Sequence, residues 1–115
     1  MKKHTNWTEY DEGHSIGTSG ESDGAIIRDD EHKSGARITL EEESTLAEFA
    51  INCNIYGWMF HTRLFNDETE AQSAFDEMKD DIDEILEILP PEDGGSEEEQ
   101  ENFAEELAMF VERFP

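Results

Sequence analysis

Bases are scarce in this chain of 115 residues. Eight Lys and Arg stand against 31 Asp and Glu, a formal net charge of −23 at neutral pH. A surface this negative repels phosphate, so direct binding of DNA or RNA is the function class it excludes most firmly. Cysteine is nearly absent. Cys53 stands alone, so no intramolecular disulfide can form; with Ile51 and Ile55 beside it, it reads as a buried small hydrophobe in a cytoplasmic protein. No apolar run approaches the roughly 18 residues that a membrane span needs. The basic start Met1-Lys2-Lys3 leads into no apolar stretch, so no secretory signal is expected.

Chemistry-bearing motifs are also missing. His4, His14, His32 and His61 are scattered without the spacing of a zinc site. The Gly-rich stretch Gly13 to Gly20 has no Lys for phosphates and no helical pattern after it. Ser19 to Asp30 matches a calcium loop in part: Gly24 falls at position 6, with Glu21 and Asp23 at 3 and 5. Position 1 is Ser, position 12 is Asp rather than Glu, and no amphipathic helix flanks the segment, so an ordinary turn is expected. We therefore expect no catalytic group, no metal and no cofactor.

Large apolar side chains are present and gathered in stretches. The hydrophobic fraction is 35%, including seven Phe and two Trp, which suits one folded domain with one core. Residues 1–12 are polar apart from Trp7 and Tyr10 and read as a flexible arm; 13–115 read as the domain. Ala25 to Arg28 predicts a short strand, Asp29 to Gly35 a polar turn, and Ala36 to Leu40 a half-buried strand.

Phe49, Ile51, Cys53 and Ile55 alternate with polar or small residues. After Gly57, Trp58, Phe60, Thr62 and Leu64 alternate with Met59, His61, Arg63 and Phe65. This predicts a hairpin in one of two registers. A two-residue turn at Ile55-Tyr56 sets Cys53 against Trp58, and a bulge at Gly57 sets Ile51 against His61. In neither does Cys53 face His61, so a nucleophile and base pair is not supported. Helical spacing of Leu46, Phe49, Ala50 and Cys53 after a capping Ser44 leaves a helix over Ser44 to Tyr56 as an alternative. Within the hairpin, Trp58 and Phe60 read as core, while Tyr56 and Met59 suit an exposed contact patch.

From Asn66 the period lengthens. Asp67-Glu68-Thr69-Glu70 is a capping signal, and Ala71, Phe75, Met78, Ile82, Ile85 and Leu89 predict a helix over about 67–89, ended by Pro90-Pro91. Glu92-Asp93-Gly94-Gly95 links it to a second helix over 96–114. That helix is opened by a capping box at Ser96 and Glu99, with Phe103, Leu107, Phe110, Val111 and Phe114 as its stripe. The fold class is α+β: an antiparallel meander of three to five strands over 13–65, then two helices covering one sheet face.

Charge is concentrated in these helices. Residues 66–115 carry 19 acids against two bases, Lys79 and Arg113. Like-charge neighbours such as Asp76 and Asp80, Asp80 and Glu84, or Asp83 and Glu87 together cost about 1–2 kcal/mol of helix stability. A solvated face kept soluble by charge, or adaptation to high salt, would account for acidity alone. The uneven placement favours a docking surface for a basic protein, of the kind an immunity or inhibitor protein presents to a cationic enzyme. The residues expected to carry it are Asp76, Glu77, Asp80, Asp81, Asp83, Glu84 and Glu87, with Tyr56 as an apolar anchor. Two alternatives are a homodimer built on a sheet edge or uncovered face, and a small-ligand domain with a sheet–helix pocket near His61.

Overall fold

The computed structural model describes residues 6–91 and 94–115. Five strands, β1 (Trp7–Glu9), β2 (Ala25–His32), β3 (Ala36–Glu42), β4 (Phe49–Ile55) and β5 (Met59–Phe65), form one antiparallel sheet in sequence order. Two helices follow, α1 (Glu68–Ile85) and α2 (Glu97–Arg113), and cover one sheet face. The α+β architecture read from the sequence is the one observed.

Both helix starts follow their capping residues. The Asp67 carboxylate accepts the Glu70 N–H at 2.9 Å, and Ser96 and Glu99 complete a reciprocal capping box. After Ile85 the chain tightens into a short 3₁₀ turn, and Leu89 turns extended (ψ 126°) ahead of Pro90. Inward positions of β3 and β4 (Ala36, Ile38, Leu40, Ile51, Cys53, Ile55) meet Phe75, Met78 and Ile82 of α1 and Phe103 and Phe110 of α2. Val111, assigned to the apolar stripe, faces outward and is exposed.

The structure corrects two boundaries. The sheet begins at Trp7, six residues earlier than expected. Trp7 is buried edge-on against His32, and the Tyr10 ring lies 3.6 Å beneath the Arg37 guanidinium, so two large rings fix what polarity suggested was loose. Residues 1–5 of the expected arm, and Glu92 and Asp93 of the linker, lie outside the described residues. The second correction concerns the segment Asp29 to His32, expected as a turn, which continues β2.

That strand has a polar inner face because α1 answers it residue by residue. Arg28 pairs with Asp76 at 3.0 Å, Asp30 with Lys79 at 2.8 Å, and His32 with Asp83 at 2.6 Å. Positions i, i+2 and i+4 of a strand advance by about 13 Å. Positions 76, 79 and 83 of a helix advance by roughly 10 Å, which matches well enough for three successive contacts.

The β4–β5 register is neither of those expected. Ile55 pairs with Met59, Cys53 with His61 and Ile51 with Arg63. Tyr56-Gly57-Trp58 is the loop. Its Trp58 N–H donates to the Ile55 carbonyl at 2.9 Å, and Gly57 sits at φ +81°, the third turn position where positive φ demands glycine. The extra loop residue turns Met59 inward and leaves Phe60 outward and 56% exposed. Strand β4 replaces the alternative helix over Ser44 to Tyr56.

Candidate functional site

Helix α1 turns Ala71, Ala74, Phe75, Met78, Lys79, Ile82 and Ile85 toward the sheet. At 3.6 residues per turn Asp76, Glu77, Asp80, Asp81, Asp83 and Glu84 then fall on the remaining arc, and Glu87 follows in the 3₁₀ turn beyond Ile85. They do not act alike. Asp76 is engaged by Arg28, and Asp83 accepts from both Asn6 (2.9 Å) and His32. The Ser34 N–H donates to His32 Nδ1 at 3.0 Å, which leaves the ring proton on Nε2 to donate to Asp83. Asp81 is held by Arg113 of α2, with Nε at 3.2 Å. These three carboxylates serve the fold, tying α1 to β2 and to α2. Asp80 is half-buried, whereas Glu77, Glu84 and Glu87 are exposed.

The exposed acids of α1's C-terminal half border a groove shared with α2. One part, of about 280 Å³, is lined by Asp81, Glu84, Ile85, Ile88, Glu106 and Arg113. It continues into a hollow of about 530 Å³ that shares Ile88 and Glu106 and adds Glu87, Glu99 and Glu105. Six carboxylates therefore face one channel whose lining holds a single base, Arg113, already bonded to Asp81. Ile88 lies in the channel at 47% exposure, so the groove offers apolar surface between two acidic walls. Glu99, Glu105 and Glu106 were missed by sequence reasoning. The available signal was that Glu99, Glu106 and Arg113 recur every seven residues beside the apolar stripe, the place where a neighbouring helix is met.

Tyr56 is not part of this channel. It stands at the β4–β5 loop, its hydroxyl donating to Glu31 at 2.8 Å, and it borders a separate hollow with Thr8, His32 and Lys33. Partial burial and the Glu31 carboxylate push its phenol well above the ordinary tyrosine range.

Cys53 and His61 are direct cross-strand partners, contrary to both expected registers, yet they form no nucleophilic pair. Burial pushes the Cys53 thiol up to about 12, only partly offset by a backbone hydrogen bond at His61 and by Arg63. His61 Nε2 is occupied by the Phe114 carbonyl. Native Cys53 should therefore resist alkylation at pH 8 and react promptly in denaturant. Equal rates in the two states, followed by mass spectrometry, would contradict this burial. Linkage has the same sign: the raised thiol pKa contributes stability that is complete below about 9, the ordinary value, and is lost as pH climbs toward 12. The shallow hollow between β5 and the helices is lined by Arg63, Phe65, Glu70 and Glu77 among others, and His61 is not in its lining.

The calcium-like segment has a packing explanation. The fully buried Glu41 carboxylate accepts the N–H groups of Gly24 (2.9 Å) and Ser22 (3.1 Å) and the Asn52 amide (2.7 Å). This folds the loop over the sheet face opposite the helices. A Cβ at Gly24 would stand 2.6 Å from the Glu42 carbonyl oxygen, so glycine is required there for close approach. Among the described residues no cluster of three or more His, Cys, Asp or Glu could hold a metal ion, and no helix is long and apolar enough to cross a membrane. The chain matches no protein-family model, no curated protein and no solved structure.

Proposed function

We propose that this protein is a binding module that receives a basic protein segment in the carboxylate-lined groove between α1 and α2. The observation carrying this reading is the convergence of Asp81, Glu84, Glu87, Glu99, Glu105 and Glu106 on one channel with an apolar residue, Ile88, inside it. A lysine or arginine side chain suits such a site because its aliphatic stem covers Ile88 while its charge reaches the walls. The acids oppose helix stability when unpartnered, and a cationic ligand removes that penalty. The biological form this favours is an immunity- or inhibitor-type protein that occludes the anion site of a cationic enzyme, with carboxylates standing where phosphates would bind.

The test is charge reversal at two exposed groove positions, E84K/E87K. Against a basic protein captured at low salt, affinity is expected to fall about a hundredfold, the equivalent of roughly 3 kcal/mol. The dependence of affinity on ionic strength should flatten in parallel. Unchanged affinity and an unchanged salt slope, measured by titration calorimetry, would remove the groove from consideration.

A further inference from the structure

The geometry points to a second binding site, for a neutral saccharide, on the sheet face turned away from the helices. A cleft of about 380 Å³ opens there between the loop Thr18 to Asp23 and the outer surface of β3, β4 and β5. This is within the roughly 300–1,000 Å³ of small-molecule sites. Its base is one cross-strand row: Arg37 stands opposite Asn54, and Asn54 opposite Phe60. The loop wall is fixed before any ligand arrives, because Glu41 clamps Ser22 and Gly24 from beneath. Such preformed geometry lowers the ordering cost of binding.

Arg37 is fixed too. Its Nε and Nη2 donate to the buried Asp29 carboxylate at 2.9 and 2.6 Å, and Tyr10 covers one face of the guanidinium. Nη1 has no acceptor among the described residues, and the Asn54 side-chain amide has no hydrogen bond among them. The cleft thus presents unspent polar groups on a rigid floor, next to an aromatic ring more than half exposed.

The ligand class follows from charge. Asp29 neutralises Arg37, and Glu21 and Asp23 stand at the rim, so an anion gains nothing and meets repulsion. No group of three or more His, Cys, Asp or Glu among the described residues gathers there to hold a metal cation. A neutral polyol satisfies both constraints. Each hydroxyl is donor and acceptor at once, so it can accept from Arg37 or Asn54 and donate to Glu21 or Asp23. The C–H face of a pyranose ring covers Phe60.

The experiment is an NMR titration of ¹⁵N-labelled protein with glucose, galactose, mannose, N-acetylglucosamine and their disaccharides. Saturable shifts are expected at the Asn54 side-chain amide and the Phe60 and Arg37 signals, with a Kd near the millimolar range. N54A and F60A alter exposed or half-exposed side chains outside the core, so their spectra should retain the native pattern while each weakens binding about tenfold. No saturable shift with any of these sugars would overturn the proposal. So would shifts that persist undiminished in both variants, or equal shifts produced by inorganic phosphate.

Discussion

Lys79→Met is expected to lower the free energy of unfolding by about 3 kcal/mol, near the lower end for removing one partner of a buried ion pair. Lys79 is the one charged side chain that α1 buries toward the sheet, with its ammonium 2.8 Å from Asp30 and above the rings of Trp7 and Phe75. Methionine keeps most of the volume, so the loss reports the charge rather than a cavity. What remains is an Asp30 carboxylate with 18% of its side chain exposed and no ammonium beside it. The double variant D30L/K79M should recover to within about 1 kcal/mol of the parent, because hydrophobic replacement of a whole buried pair is close to neutral. Urea unfolding decides the matter. A single-variant loss below about 1 kcal/mol would mean that the strand–helix ladder contributes nothing beyond packing.

Phe110→Ala is expected to cost about 3–5 kcal/mol, the range for truncating a fully buried phenylalanine. Helix α2 buries only Phe103, Leu107 and Phe110 along its length, with Phe114 closing its end. Phe110 lies near the C-terminal end of that attachment, its ring centroid 5.0 Å from that of Phe114 and 6.5 Å from that of His61 on β5. Its loss should release α2 before the sheet. Hydrogen exchange would then show amide protection falling further in Glu97–Arg113 than in β3 and β4. Uniform loss across the chain would instead make α2 an inseparable part of one cooperative unit.

The elements themselves were legible because their causes are local. A 3.6-residue stripe, an Asp67 cap, a capping box at Ser96 and a Pro-Pro stop fixed both helices, and alternation fixed β3 and β4. The features that were not legible depend on partners distant in sequence. Strand β2 looks like a polar turn from Asp29 onward, since the Lys79 and Asp83 groups that bond to its side chains lie about 50 residues away. The hairpin register escaped because the loop starts one residue later, at Tyr56, and runs three residues to Trp58, which shifts every pair while leaving the alternation intact. The same distance effect split the acidic list. Asp76, Asp81 and Asp83 look like Glu84 and Glu87 in sequence, yet Arg28, Arg113 and His32 draw them into the fold. Glu41 was invisible as an anchor because its three donors come from two other segments.

What distinguishes the groove is the location of charge rather than its amount, and two variants of equal net charge separate the two. One carries E84K/E87K in the groove. The other carries E42K/E48K at the end of β3 and in the loop before β4, positions outside the groove lining. Titrated against the same basic protein at the same ionic strength, the groove variant should lose about a hundredfold in affinity and the sheet-side variant less than about threefold. Equal losses in both would show that the partner senses only overall negative charge, and the groove would have no function of its own.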